Sequence, residues 1–274
     1  MGTLPRNLVI TVFAALALVL SFRMEAMAEN APSNVVKDLA PTGKLRVAIN
    51  FGNPVLAQKD PATGDARGVS GDLARELARR LGVAVEFVAF ETAGKVTDAL
   101  PSGVWDICFL AIDPVRAAGI DFTPPYVVIE GTYLVPQDSA LRTIEDVDRA
   151  GVRVAVGKGS AYDLYLTRAL KQAKLERYPT SAAALDAFLK DRLEAAGGVK
   201  QPIVAFAKAH PEVRVIPGRF MAIEQAMGTV KGRTAGARYL RAFVEEMKAS
   251  GFVADALKRS GQGDAAVAPA APVD

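Results

Sequence analysis

Between residues 45 and 112 the chain switches repeatedly between two hydrophobic periodicities, and that alternation leaves few folds open. Leu45–Asn50 (LRVAIN) reads as a strand. Asp72–Leu81 (DLARELARRL) reads as a helix: Leu73, Leu77 and Leu81 recur every four residues, and Gly82 stands where a helix closes in left-handed geometry. Val83–Phe90 is a second strand, apolar enough to suggest burial on both faces. Ala93–Leu100 is a short helix and Ile107–Ile112 (ICFLAI) a third strand. Strand and helix in turn predict an α/β fold on a parallel sheet.

The pattern then restarts. Thr132–Val135 is extended, and Thr143–Ala150 carries a Thr-x-x-Asp capping box closed by Gly151. Val152–Val156 is a strand, and Ser160–Lys171 a helix with Asp163 three residues after its Ser cap. Ser181–Lys190 is a helix with Leu185, Phe188 and Leu189 on one face, and Glu212–Ile216 a strand. Thr234–Ala249 is the last strong helix, with a stripe of Leu240, Phe243, Val244 and Met247. Two α/β units in succession predict two lobes, with a ligand cleft at the carboxyl ends of their strands.

The ends of the chain read differently. Arg6, the 13 uncharged residues Leu8–Leu20 and the small-residue pattern Ala26-Met27-Ala28 form a secretory signal over residues 1–28, cut after Ala28, which sends the protein to the periplasm. A retained anchor is the alternative, but 13 residues fall short of the roughly 20 that span a bilayer. Residues 29–40 read as a mobile leader, and 261–274 (GQGDAAVAPAAPVD) as a disordered tail without a periodic apolar face.

Residue counts exclude several chemistries. One His, His210, cannot build a multi-histidine metal site, and one Cys, Cys108, cannot form an intramolecular disulfide or a CxxC redox pair. No metal or cofactor is expected. The 33 basic residues are scattered among 30 acidic ones, so nucleic acid is not an expected partner. Gly157-Lys158-Gly159-Ser160 lacks the spacing of a phosphate loop. It still leads into a helix N-terminus, whose free N–H groups suit an anion; plain capping by Ser160 is the other reading. His210 reads as a surface residue, Cys108 as a core thiol and Trp105 as packing.

Five motifs then follow in order. Gly43-Lys44-Leu45-Arg46-Val47-Ala48 is succeeded by Gly68-Val69-Ser70-Gly71-Asp72-Leu73-Ala74 and by Ala99-Leu100-Pro101-Ser102-Gly103-Val104-Trp105-Asp106. Asp113-Pro114-Val115-Arg116 and Ile120-Asp121-Phe122-Thr123-Pro124-Pro125-Tyr126 complete the set. In this order and spacing the chain resembles the family-3 bacterial extracellular solute-binding proteins, which include the polar amino-acid-binding proteins of ABC importers, over about residues 41–260. The resemblance implies a two-lobe periplasmic-binding-protein (flytrap) fold, with a parallel-rich sheet flanked by helices in each lobe. Lobe one would be 41–132 plus 224–260 and lobe two 133–223, joined by a two-segment hinge near Tyr133 and Ile223. It implies a monomeric, non-enzymatic binding protein. Such a protein captures a small carboxylate-bearing solute, an amino acid or related compound, and delivers it to an ABC permease in the inner membrane.

The same resemblance nominates site residues. Arg116 matches the family's carboxylate-binding arginine, whose guanidinium can hold a carboxylate through two parallel hydrogen bonds; a surface salt bridge is the alternative. Ala111 fits the position whose backbone N–H helps, and Ser160 closes from lobe two. Phe51 and Asn53 occupy the ligand-facing loop, where Phe51 either stacks on ligand or packs in the core. Phe109 stands where a small polar residue is usual, and Tyr162 forms a wall. Glu194 replaces the family's ammonium-binding Asp or else ends a solvated helix. Two rivals remain: a periplasmic dehydratase-like enzyme using Glu194 or Glu130 as general acid, with a pKa raised by burial, and a ligand-sensing adaptor.

Overall fold

The computed structural model describes residues 31–272; the signal segment and its cleavage site lie outside them. Strand β1 (Lys44–Asn50) is the first centre of order. Its alternate residues Leu45, Val47 and Ile49 are fully buried. The short hairpin β2 (Gln58–Lys59) and β3 (Ala66–Arg67) leads into helix α2 (Val69–Leu81). That helix starts three residues earlier than its leucine repeat suggests, because Val69 and Ser70 are also buried. Gly82 closes it at φ 67°. Strands β4 (Ala84–Phe90) and β5 (Ile107–Ala111) both run parallel to β1, one on each side, with helix α3 (Ala93–Asp98) between them in the chain. β5 is buried at every residue. β4 is not: it is an edge strand whose residues alternate in exposure, so its apolar run reflects one covered face and not two.

Helix α4 (Pro114–Ala117) and β6 (Ile120–Phe122) lead to β7 (Val127–Pro136), the first of two long strands that leave one lobe for the other. Lobe two adds β8 (Arg153–Gly157), α5 (Ala161–Ala169), β9 (Lys174–Tyr178), α6 (Ser181–Lys190), β10 (Ala195–Val199), α7 (Lys200–Ala209) and β11 (Val213–Val215). β10, β8 and β9 lie side by side and parallel. The chain returns along β12 (Met221–Val230) and ends with α8 (Thr234–Ala249), α9 (Phe252–Arg259) and β13 (Ala266–Val267). β7 and β12 pair antiparallel over Val127–Gly131 and Met221–Gln225. At Gly131, β7 trades β12 for β10, and at Gln225, β12 trades β7 for β5. The crossing therefore precedes Tyr133, which lies buried in lobe two opposite Gly197. The result is one mixed sheet in the two-lobe arrangement: β4-β1-β5 and β10-β8-β9 are parallel runs, and the long strands β7 and β12 join them antiparallel.

Thr143–Ala150 forms only a single tight turn, Glu145–Val147. The Asp146 carboxylate takes the N–H groups of Arg142 and Thr143, and Asp148 reaches out to those of Lys171, Gln172 and Ala173. With Asp148 committed to another segment, the helix does not propagate. The Gly197-Gly198 pair lies inside β10, despite the low strand propensity of glycine, because its neighbours stand close. A Cβ on Gly198 would lie 3.0 Å from the tip of Ile203.

Both ends differ from expectation. Residues 33–39 of the expected mobile leader form helix α1 (Ser33–Leu39), which packs on α8. Two apolar residues suffice: Val35 and Leu39 are buried, and Gly236 admits Leu39 so closely that a Cβ there would stand 2.6 Å from it. The tail expected to be disordered supplies β13, which pairs with Val127 and Val128 of β7. Small residues permit this: Ala265 and Ala268 are buried, and Lys248 Nζ donates to the Pro269 carbonyl at 2.8 Å. Among the described residues no helix is long and apolar enough to cross a membrane. Leu39→Ala is expected to destabilise the protein by about 2–4 kcal/mol in urea unfolding, as truncation of a fully buried leucine does; a loss below about 1 kcal/mol would contradict a docked α1.

Candidate functional site

Parallel strands aim their carboxyl ends the same way, and here the two sets aim at each other. Asn50 ends β1, Glu91 follows β4, Ala111 ends β5, and Gly157 and Val199 end β8 and β10; all five line the cleft between the lobes. The cleft has two connected chambers. The smaller, about 60 Å³, contains Arg116, Ala111 and Ser160. The larger, about 440 Å³, is walled by Phe51, Leu185, Val199, Pro202 and Ile203. Asn53, Tyr162 and Ser181 belong to both.

Arg116 dominates the smaller chamber. It rides on α4, which Asp113 caps by accepting the Val115 N–H at 2.9 Å. Arg116 is 4% exposed. Its Nη1 donates to the Ala111 carbonyl and its Nη2 to the Gly159 carbonyl across the cleft, each at 2.9 Å. Its Nε is buried without an acceptor. Burial pulls its pKa down to about 10, against the field of Asp113, so it remains a cation at neutral pH. Among the described residues it has no carboxylate within ion-pair distance. A buried charge without a counter-ion costs several kcal/mol, so this guanidinium is organised for an anion. Ala111 adds to the same wall. The Ile112 N–H donates to Glu224, and successive strand residues turn their backbone groups to opposite edges, so the Ala111 N–H faces the Arg116 side.

Lobe two presents the start of α5. Ser160 Oγ accepts the Asp163 N–H at 3.1 Å, and Asp163 in turn accepts the Gly159 N–H at 2.8 Å. Ser160 thus caps the helix and also lines the cleft. The N–H groups of Ala161 and Tyr162, in the first turn, have no intrahelical acceptor. Gly159, at φ 71°, lies so near Gly94 that a Cβ on it would come within 2.8 Å of the Gly94 Cα. Arg168 on α5 donates to Asp113 at 2.7 Å, a second bridge between the lobes.

The remaining residues sort plainly. Asn53 lines both chambers, and its Oδ1 is buried without a donor. Phe51 packs half-buried against the core of lobe one and also walls the larger chamber. Phe109 lines the smaller chamber, its ring edge-on to Tyr126 at 6.0 Å. Tyr162 forms a wall and shares a 2.6 Å hydrogen bond with Ser181. Glu194 does not reach the cleft. It precedes β10 at the strand's amino end, away from the cleft-lining Val199, and binds the Arg153 side chain through both oxygens at 2.9 Å. Glu130 lines neither chamber; Lys200 at 2.6 Å and Arg219 at 3.1 Å hold it. Both carboxyls lie below their ordinary range because of these basic partners, the reverse of what a general acid needs.

The structure adds residues that the sequence patterns did not mark: Ser181 at the start of α6, Thr92 at the cap of α3, and Gln225 at the partner switch of β12. The caps were readable as helix starts; that they point into a cleft follows only from the strand order. Trp105 is buried, with its indole N–H on the Val96 carbonyl. Burial pushes the Cys108 thiol up to about 12. His210 stacks on Phe206 at the surface.

Comparison with known proteins agrees with this geometry. Residues 45–261 match the family described as bacterial extracellular solute-binding proteins, family 3. A glutamine-binding protein of Geobacillus stearothermophilus is 24% identical over 206 residues, which cover 74% of this chain and 78% of the relative. Among solved structures, the solute receptor for L-cysteine of Neisseria gonorrhoeae superposes with a TM-score of 0.71 at 23% identity, covering 84% of this chain and 93% of the receptor. An ancestral amino acid-binding protein, described as a precursor of cyclohexadienyl dehydratase, gives 0.68 at 27% identity over 82% of this chain and 97% of its own.

Glu194→Gln is expected to cost about 0.5–1 kcal/mol at pH 7, the value of a half-exposed bidentate pair. The folded-state pKa of Glu194 is lowered, so its contribution is present above the unfolded value near 4.5 and is lost as pH falls through the folded one. Chemical denaturation of both proteins between pH 7 and 3 should show the difference vanish at the acid end.

Proposed function

The chain belongs to the bacterial extracellular solute-binding proteins of family 3, and we propose that it captures a small carboxylate-bearing solute between its lobes for delivery to an ABC permease. The observation that carries this reading is the buried, cleft-facing guanidinium of Arg116, which has an unfilled Nε donor and no carboxylate partner among the described residues. A ligand carboxylate would supply the missing charge, accept from Arg116 and the Ala111 N–H on one side, and meet the Ala161 and Tyr162 N–H groups on the other. Contact with both lobes gives such a ligand its differential affinity for the closed state. The relatives' names, for glutamine and L-cysteine, support an amino acid or a related acid as the class. Export to the periplasm by a signal over residues 1–28, and action there as a monomer, complete the proposal.

Capture without turnover is the reading favoured over a dehydratase. Glu130 and Glu194 line neither chamber of the cleft, and basic neighbours hold both carboxyls below their ordinary pKa.

The test is calorimetry and thermal shift against a panel of amino acids and organic acids. A ligand at 100 times its Kd adds about 2.7 kcal/mol to stability. Arg116→Met should abolish the shift while leaving the ligand-free protein as stable as before or more so, because it removes an unpaired buried charge. A variant that still binds would overturn the assignment. Arg168→Ala, which frees Asp113, should weaken the same ligand about three- to tenfold by making closure less favourable. Unchanged affinity would show that the bridge does not assist closure.

A further inference from the structure

The two chambers make different chemical demands. The smaller has room for about four to six water-sized groups, the size of a carboxylate and its α-substituent. The larger lies within the usual range for a ligand pocket and is walled mainly by Phe51, Pro54, Leu185, Val199, Pro202 and Ile203. Its polar edge is largely satisfied within the protein, since Tyr162 and Ser181 bond one another.

An ammonium group bound here would find no buried counter-charge. Glu91 is the one carboxylate among the described residues that borders either chamber. It stands at the rim with its side chain 74% exposed, and Lys95 already holds it at 2.5 Å. The nearby buried carboxylates are occupied. Asp163 binds the Gly159 N–H and Arg177, and Asp113 binds the Val115 N–H and Arg168. Glu194 is at the far end of its strand. The basic lining groups, Arg116 and Lys158, would repel an ammonium. Against this stands one unfilled acceptor at the junction of the chambers, the neutral Asn53 Oδ1. It suits a single uncharged donor. A lone amide oxygen does not offset the desolvation of a charged amine.

We infer that the preferred ligand is an apolar carboxylic acid carrying at most a neutral hydrogen-bond donor at its α-carbon, and that the site does not select for an α-ammonium group. The inference rests on the reading of Arg116 as the carboxylate partner. Carboxylate and α-hydroxyl occupy the smaller chamber, with the hydroxyl donating to Asn53 Oδ1. The branched or aromatic body fills the larger one.

Calorimetry with matched pairs tests this: L-3-phenyllactate against L-phenylalanine, and 2-hydroxy-4-methylvalerate against L-leucine, with L-arginine and L-glutamine alongside. The hydroxy acids should bind at least as tightly as their amino counterparts and at least tenfold more tightly than arginine or glutamine. Leu185→Gln, with its fold checked by melting temperature, should weaken the hydroxy acids about tenfold. An amino acid that binds more than tenfold tighter than its hydroxy partner would overturn the inference, as would binding of arginine or glutamine alone. If that binding vanished in Arg116→Met, carboxylate capture would stand without the apolar preference. Binding by no acid in the panel would remove carboxylate capture and the inference together.

Discussion

The antiparallel pairing of β7 with β12 is the constraint on which the architecture depends. Both strands run from one lobe into the other, and each changes partner at a single residue, Gly131 or Gln225. Because these strands are shared, the parallel strands of the two lobes cannot orient independently. Their carboxyl ends are brought face to face, with Ala111 and Asn50 on one side and Gly157 and Val199 on the other. The site is thus a product of strand direction before it is a product of side chains.

On that frame, charge does the selecting. The interior of the cleft contains one fully buried cation, and the neighbouring acids are spent on other tasks: Asp113 on a helix cap and a lobe-to-lobe bridge, Asp163 on the Gly159 turn and Arg177. This division leaves Arg116 without an ion-pair partner among the described residues, with only the more distant field of Asp113, while two carbonyls fix its geometry. Rigid placement by neutral acceptors keeps the charge available, which a carboxylate neighbour would not.

Much of the fold was legible because its longer helices carry an apolar periodicity of their own. Ser181–Lys190 and Thr234–Ala249 appear where their patterns place them, and Gly82 closes α2 as its conformation permits. Legibility failed where tertiary contact overrides local preference. The glycines of β10, the two-residue anchor of α1 and the small residues of β13 carry little pattern of their own and are ordered by what they touch. Arg116, Ala111, Ser160, Asn53, Phe51, Phe109 and Tyr162, nominated by motif and turn, all line the cleft. Glu194 does not: a shift of a few residues along a strand moves a side chain from the cleft end to the opposite end, and the glycine-rich stretch that follows gives no periodicity to set the register.

The route of the chain through the lobes also has a consequence for how each lobe is assembled. Lobe two is built from one continuous stretch and is complete once β11 and the start of β12 have been made. Lobe one is not: its core includes Leu240, Phe243 and Val244 of α8, and its sheet needs the second half of β12. The residues before β7 therefore cannot complete the core of lobe one by themselves, and the whole of lobe two lies between them and the segments they need. The final strand, β13, then closes against β7 beside the crossing. The first lobe is thus assembled from contacts between distant parts of the chain, whereas the second is assembled within one stretch.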